Sequence, residues 1–391
     1  MRKISADYIY PVNTAPIKEG VVTVDEKGKI VAIDQRGQHD PASLEVLSGV
    51  IVPGFVNTHC HLELSHMKGK VNTGTGLIPF ISNVVQHREV PEEEILEAII
   101  RADQKMFEGG IVAVGDISNK ADTVAQKAKS PIRYYTFVEM FDFLQDAGAQ
   151  QEYDKYKAVY DQHEQSAKNR KSCVPHAPYS VSPSLFQKIN ATNQSLSTIS
   201  IHNQETPPEN ELFLNKTGGF IDFYQGFGIS LDQFQATQQT AIHYALANMD
   251  PRHRSLFVHN TLTTVEDIQA AQSWSDQVYW ATCANANLFI ENRLPNYQAF
   301  IDTGAKMTIG TDSLTSNWQL SVLEEMKTIQ RFQSYVTFET LLEWACLNGA
   351  KALGFEEELG SIEIGKQPGL NLLSPIEGGH LEVNTKVRRL I

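Results

Sequence analysis

The sequence predicts an α/β fold: a (β/α)8 TIM-type barrel carrying a small β-sandwich-like domain formed from both chain ends. Three observations carry that expectation. Short β-rich apolar runs alternate with helix-length amphipathic segments along the middle of the chain. There are eight such runs, the number of strands that closes a barrel. The first run ends in His59-Cys60-His61, where a doubly wound open sheet, the alternative, would want a Gly-rich phosphate turn. At 391 residues the chain holds a barrel of about 250 residues and a smaller domain besides.

Taken in order, residues 1–50 read as short strands and turns, over Lys3–Tyr10, Gly20–Asp25 and Lys29–Ile33, with nothing helical among them. β-type segments return at Gly360–Lys366 and Gly369–Leu373. Residues 1–50 and 356–391 are therefore expected to form one small sheet domain, and 51–355 the barrel. Its strands are expected at Val50–His61, Ile111–Ile117, Ile132–Met140, Ser172–Val181, Ser197–His202, Ser255–His259, Gln277–Cys283 and Lys306–Thr311. Amphipathic segments such as Pro91–Phe107, Gln151–Asn169 and Val265–Trp274 separate them, as right-handed βαβ units require. One connection is too long for a plain barrel. The insertion 206–250, between the fifth and sixth strands, holds Thr206-Pro207-Pro208, a Gly218-Gly219 break and the aromatics Phe220, Phe223, Tyr224 and Phe227. It reads as a lid or pocket wall, with an extra helix on the rim as the alternative.

Hydrophobic residues make up 41% of the chain and charged ones 20%, ordinary for a globular protein. The net charge of −13 argues against a nucleic-acid partner, and Lys386-Val387-Arg388-Arg389 is the one short basic cluster. The acidic runs Glu92–Glu94 and Glu356–Glu358 are expected on solvated helix faces. Cys60, Cys173, Cys283 and Cys346 lie far apart with no Cys-x-x-Cys pair, which fits neither a disulfide framework nor a structural zinc site. The N-terminal residues show no signal-peptide core, and no apolar run approaches the ~18 residues of a membrane span. The expected setting is cytoplasmic, without a membrane partner.

The chemistry gathers at the C-terminal strand ends, where such barrels build their sites. Period-two alternation aims His59 and His61 at one point past the first strand. His176 stands on the fourth strand, His202 on the fifth with Glu205 three residues on, His259 on the sixth and Asp312 after the eighth. A lone histidine is commonly a satisfied core residue. Five histidines and an aspartate at one end of several strands make a metal constellation that suits zinc, with iron or manganese as alternatives. Two-metal barrels of this design use a carbamylated lysine at the end of the fourth strand. Here that strand reads Cys173-Val174-Pro175-His176, with Lys171 at its start, so one divalent metal is favoured.

The motifs Pro53-Gly54-Phe55-Val56-Asn57-Thr58-His59-Cys60-His61, Pro175-His176-Ala177-Pro178-Tyr179-Ser180, His202-Asn203-Gln204-Glu205, Val258-His259-Asn260 and Gly310-Thr311-Asp312 together resemble the amidohydrolase superfamily, in its branch of mononuclear aromatic aminohydrolases. The resemblance implies that His59, His61, His202 and Asp312 hold the metal. It makes His259 a contact of the water there and Glu205 a proton shuttle to a ring nitrogen of the substrate; it also implies a homodimer. Elementary chemistry agrees: zinc lowers the pKa of its water to about 7, Asp312 can take the proton shed, and Glu205 can protonate the ring so that ammonia leaves.

The segment around His176 is similar to that of deaminases acting on S-adenosylhomocysteine, methylthioadenosine and aminodeoxyfutalosine. Thr311–Asn317, Leu320–Met326, Leu256–Asn260 and Glu63 look most like the aminodeoxyfutalosine deaminases. The expected substrate is thus an adenine ring with a 5′-extended ribose, deaminated at C6. The expected contacts are His176, Glu139, Tyr179 and Asn287, with Phe220, Phe223 and Phe227 as an apolar wall. Glu63 has a second reading, as a partner of His61. The seventh strand ends Cys283-Ala284-Asn285-Ala286-Asn287, where relatives carry Cys-Pro-x-Ser-Asn, so contacts there are less securely inherited. A cytosine, guanine or triazine aminohydrolase or chlorohydrolase is the alternative within the superfamily. A non-catalytic interaction protein of the same fold is the alternative outside it.

Overall fold

Eight parallel strands stand in two four-stranded sheets, and the computed structural model describes them within residues 1–391. In chain order they are β1 (Phe55–Cys60), β2 (Ile111–Ser118), β3 (Arg133–Met140), β4 (Arg170–Pro175), β5 (Thr198–Asn203), β6 (Arg254–His259), β7 (Val278–Thr282) and β8 (Met307–Ile309). One sheet runs β4-β3-β2-β1 and the other β5-β6-β7-β8. Every residue of β1, β2, β7 and β8 is buried, as expected of parallel strands covered on both faces. That is why they read as unbroken apolar runs.

The two sheets meet at two seams. Between β4 and β5 the His202 amide donates to the His176 carbonyl at 2.9 Å, and Ser172 Oγ to the Thr198 carbonyl at 2.6 Å. Between β8 and β1 the amides of Thr311 and Asp312 both donate to the His59 carbonyl, at 2.9 and 3.0 Å, in a parallel bridge of Cys60 with Asp312. The seams run through His59, His176, His202 and Asp312, four of the residues expected to carry the chemistry.

Helices fill the connections: α1 (Leu77–His87), α2 (Glu92–Glu108), α3 (Val124–Lys129), α4 (Ala149–Gln162), α5 (Pro183–Thr192), α6 (Pro207–Asn215), α7 (Gly219–Gly226), α8 (Ala241–Asn248), α9 (Val265–Trp274) and α10 (Ala284–Glu291). Local chemistry sets their ends. Three glutamates in the first turn of α2 face the positive end of its dipole, and Thr264 with Asp267 forms a capping box on α9. No helix is long and apolar enough to cross a membrane. All four cysteines are buried and free.

The first expected strand proves to be two. Val50–Pro53 and Phe55–Cys60 are separated at Gly54, where a Cβ would come within 2.2 Å of Val112 Cγ1 and 2.6 Å of the Pro368 carbonyl. Val50–Pro53 pairs antiparallel with Leu370–Glu377 and parallel with Tyr8–Ile9, which joins the two chain ends in one five-stranded sheet. A second sheet holds Ile30–Gln35, Gly20–Val24, Arg2–Ser5 and Glu45–Val46. Two short 3-10 turns, Arg36–Gln38 and Pro41–Ser43, interrupt the first fifty residues that were expected to be free of helix. Gly360–Lys366 is turns rather than strand. The fourth strand stops at Pro175, because Pro178 opens a 3-10 turn that carries Tyr179.

The insertion is helical, α6 to α8. Phe213, Phe220 and Tyr224 from it pack with Leu77 and Phe80 of α1 and with Tyr179 in one apolar cluster, separate from the core of the parallel sheets.

Candidate metal centre and its pocket

Strand ends β1, β5 and β6 and the turn after β8 deliver side chains to one point. His59 Nε2 and His61 Nε2 stand 3.2 Å apart, with Asp312 Oδ1 at 3.6 and 3.3 Å from them respectively. A ligand nitrogen of His202 lies within 4.8 Å of both His59 and His61, and His259 is equally close to His59 and Asp312. A tetrahedral ion with bonds of about 2.0–2.1 Å sets its ligand atoms ~3.3 Å apart. The His59–His61–Asp312 spacing fits such an ion.

The protonation states fit too. Burial, reinforced by the neighbouring imidazoles, holds the pKa of His61 down at about 3, that of His176 at about 4, and that of His202 well below the ordinary histidine range. Burial alone would raise the Asp312 carboxyl, but the facing imidazoles of His59, His61 and His259 hold it below the usual range. Neutral rings and an ionised carboxylate are the donor set a divalent cation needs.

Three of these side chains, His202, His259 and Asp312, are each aimed by a partner. His202 Nδ1 donates to the His176 carbonyl at 2.8 Å, which leaves Nε2 with a lone pair. Asn287 Nδ2 reaches the His259 carbonyl at 3.4 Å, so its Oδ1 accepts from His259 Nδ1 at 2.8 Å and His259 Nε2 is an acceptor. Ser316 Oγ donates to Asp312 Oδ2. Behind β1, Asp116 Oδ1 accepts from the Leu62 amide at 2.7 Å, one residue past His61, while Asp116 Oδ2 meets Lys127 Nζ at 2.6 Å in a buried ion pair. Gln204, His259, Asn260 and Asp312 all carry positive φ, of 46°, 74°, 59° and 58°. Four non-glycine residues in that sparsely allowed region, all at these strand ends, mark a site where the backbone is bent to point side chains inward.

Glu205 lies across from this cluster, its Oε1 3.7 Å from His259 Nε2. Burial first, then the charge of Asp312, push its carboxyl well above the usual range. Its amide and that of Gln204 both donate to the buried carboxylate of Glu209, at 3.0 Å each. Glu209 is absent from the residues expected above, and its signal is a carboxylate in the first turn of α6, a recognisable cap.

A cavity of ≈ 390 Å³ opens over these residues. It is lined by His61, His202, Glu205, His259 and Asp312, and also by Glu139, His176, Tyr179, Phe223 and Phe227. Two expected contacts lie elsewhere. Phe220 is fully buried behind the wall, stacked on Tyr179 with ring centroids 4.2 Å apart, and Asn287 sits behind His259. Glu139 Oε2 accepts from Asn119 Nδ2 at 3.2 Å, while Oε1, 3.3 Å from His202 Nδ1, is buried with no hydrogen bond. Burial raises the Glu139 pKa to about 8.

Sequence reasoning missed the opposite wall. Leu77, Phe80, Ile81, Val84 and Val85 of α1 line the cavity at spacings of three, four, seven and eight residues, followed by Arg88. That stripe was legible as one face of a helix. Nothing local said it would face a cavity.

Glu63 is a clamp rather than a partner of His61. Its Oε2 accepts from the amides of Asn119 and Lys120 at 2.9 and 3.1 Å, and Oε1 faces Arg88 Nη2 at 3.4 Å. A second cleft, ≈ 420 Å³, is lined by Lys68, Lys70, Arg101, Lys105 and acidic residues of α2 and shares no residue with the first cavity.

Comparison with known proteins gives this geometry a context. The model of the amidohydrolase family matches residues 50–388. An adenosine deaminase of Helicobacter pylori is 27% identical over 331 residues, 83% of this chain and 79% of that one. An aminodeoxyfutalosine deaminase of a Nitratiruptor species is 28% identical over 356 residues, 87% of this chain and 81% of that one. The crystal structure of Helicobacter pylori aminofutalosine deaminase in complex with methylthio-coformycin superposes with a TM-score of 0.81 at 25% identity, over 96% of this chain and 93% of that one.

Proposed function

Because the chain belongs to the amidohydrolase family, we propose that it is a metal-dependent hydrolase of non-peptide C–N bonds that deaminates an adenine nucleoside derivative and releases ammonia. The observation that carries the reading is the convergence of His59, His61 and Asp312 to within 3.6 Å beside a cavity that His61, Asp312, Glu205 and His259 line. The names of the relatives, an adenosine deaminase and an aminodeoxyfutalosine deaminase, support the class; within it aminodeoxyfutalosine is read first and S-adenosylhomocysteine or methylthioadenosine second.

In this reading residues 51–355 form a closed (β/α)8 barrel, the ends 1–50 and 356–391 form the small β domain, and 206–250 walls the pocket. The enzyme is read as a cytoplasmic homodimer. His59, His61, His202 and Asp312 hold one divalent metal, and a set of three imidazoles and one carboxylate suits zinc. When bound, such an ion polarises its ligands and lowers the pKa of water to about 7.

The chain's own residues do the rest. His259 Nε2, a lone-pair acceptor, orients the attacking water. Asp312, ionised and tied through Oδ2 to Ser316, takes a proton on the oxygen that faces His59 and His61. Glu205, whose carboxyl burial pushes up, gives its proton to the ring nitrogen next to the amine-bearing carbon. Glu139 Oε1 and His176 offer polar contacts to the sugar, and the apolar wall holds the base.

Ammonia release, measured over adenine nucleosides and over cytosine, guanine and triazines, tests the reading. Specificity constants highest for an adenine nucleoside support it. Turnover confined to the small bases or triazines overturns the substrate and leaves the metal site standing.

A further inference from the structure

Glu325, on the helix Val322–Phe332, is fully buried, lies outside the cavity and is paired with no lysine or arginine. Every polar group it meets donates to it. Oε2 accepts from the Asn285 amide at 2.9 Å, and Oε1 accepts from Asn285 Nδ2 and Asn317 Nδ2 at 2.8 Å each. The first arm of this network ends at the start of α10. Cys283, the residue before that helix, makes no side-chain cap, and Glu325 supplies an acceptor there from another helix. Two residues further along α10, Asn287 Oδ1 accepts from His259 Nδ1 at 2.8 Å. The second arm ends at the turn after β8. Asn317 Nδ2 also donates to the Thr311 carbonyl at 2.8 Å, while Asn317 Oδ1 accepts from the Trp318 amide at 2.8 Å. Thr311 is tied on its other side to β1, its Oγ1 accepting from Asn57 Nδ2 at 2.7 Å. The next residue is Asp312, at a φ of 58° that only a firmly held backbone keeps.

A buried carboxylate without a counter-ion is costly where packing is the only need. Burial pushes the Glu325 carboxyl up to about 8, against the hydrogen bonds it accepts. An apolar side chain of similar size would fill the space without that cost. What an apolar group cannot do is accept from two segments at once. The start of α10 and the turn Thr311–Asn317 share no hydrogen bond of their own, and Glu325 joins them.

We propose that Glu325 is a positioning residue that holds Asp312 and His259 in register on either side of the attacking water. The proposal rests on the deaminase reading, in which Asp312 takes a proton from that water and His259 orients it, and adds what fixes the two relative to each other. Glu325, Asn285 and Asn317 do not line the cavity, so their effect on the substrate is indirect. The two arms can be separated. Glutamine at 325 keeps an oxygen for the Asn285 amide. Asn285 can turn its own amide to meet the new N–H₂, because its partner Thr328 Oγ1, at 2.7 Å, both donates and accepts. Asn317 cannot turn without losing the Trp318 amide. Glu325→Gln therefore sets two N–H₂ groups against each other on the Asp312 arm alone.

The test uses Glu325→Gln, Asn317→Ala and the double variant, each full-length and loaded with zinc. Zinc affinity is read by competition with a chelator, and kcat and KM with 5′-methylthioadenosine. Each single variant is expected to lose about tenfold or more in both zinc affinity and kcat, the scale for loss of a group that orients a ligand, with KM changed by less than about threefold. Because both substitutions cut one arm, the double variant should be no worse than the poorer single one. A Glu325→Gln protein with lowered Tm but zinc affinity and kcat within about twofold of wild type overturns the proposal, since a residue that only braces the fold behaves so. Losses that add in the double variant overturn it as well, and so does a rise in KM at unchanged kcat. Should Glu325→Gln fail to fold, Asn317→Ala reads the same arm and decides. Should no adenine nucleoside be turned over by the wild type, the deaminase reading fails by itself and zinc affinity judges Glu325: a tenfold fall sustains the hold on Asp312, and an unchanged affinity refutes it.

Discussion

Glu205 is fixed before any substrate arrives. Its amide is capped by Glu209, its carbonyl accepts from Thr261 Oγ1 at 2.8 Å, and its carboxyl lies within 3.7 Å of His259. Glutamine in its place keeps the shape and removes the carried proton. Glu205→Gln is expected to retain its metal while kcat falls by ~10² or more; turnover within a few-fold of wild type would remove Glu205 from the mechanism. Gly310 gives a second, steric prediction. A Cβ there would lie 2.8 Å from His59 Cβ and 2.9 Å from Cys283 Sγ, closer than packed carbons approach. Gly310→Ala must displace His59, so metal affinity should drop by about tenfold or more, as for loss of a group that orients a ligand. Competition with a chelator reads that directly, and an unchanged affinity would show that His59 is not held by this contact.

At the scale of elements, α3 and β2 support the turn that carries His61. Lys127 reaches from α3 to Asp116 on β2 and also donates to Ser118 Oγ and Thr136 Oγ1, at 3.0 and 3.1 Å, all four residues being buried. Lys127→Met leaves the Asp116 carboxylate buried and uncompensated, a loss of about 3–5 kcal/mol when one partner of such a pair is removed. Pairing it with Asp116→Asn removes the stranded charge, so the double variant should be more stable than Lys127→Met alone. Denaturant unfolding measures both, and a single variant within ~1 kcal/mol of wild type would show the pair to be idle.

The elements also show what the sequence could and could not disclose. All eight parallel strands were readable, because strands buried on both faces leave continuous apolar runs that only short buried segments produce. The break at Gly54 was not, since the residues on both sides are equally apolar and only the packing of Val112 against the glycine separates them. In the insertion, Phe220, Phe223, Tyr224 and Phe227 announce a helix face by their spacing. Which of them meets the cavity depends on how α7 rolls against Tyr179 and α1, and Phe220 is the one turned inward. The candidate ligands His59 and His61 were visible because the strand period aligns them. Arg88 was not, because the cavity it lines is closed by segments far from it in the chain, whereas Glu209 is a local cap on amides four and five residues before it.

For the whole molecule the candidate metal ligands have a structural consequence besides chemistry. His59 and His61 follow from β1, Asp312 from the turn after β8, and His202 from β5, so the four come from both four-stranded sheets and border both seams. One ion held by all four would tie the sheets together where backbone pairing is sparsest, with a single bridge between β8 and β1. It would bind the folded chain and not the unfolded one, which at a thousandfold excess over Kd adds about 4 kcal/mol of stability. Purified protein is therefore expected to hold one divalent metal per chain. Chelation should lower Tm and activity together, and restoring zinc should recover both. His59→Ala with His61→Ala should start at the lowered Tm and respond to neither chelator nor zinc. Two metals per fully active chain, or full activity in the doubly substituted protein, would show that the cluster is not the single-metal centre its spacing describes.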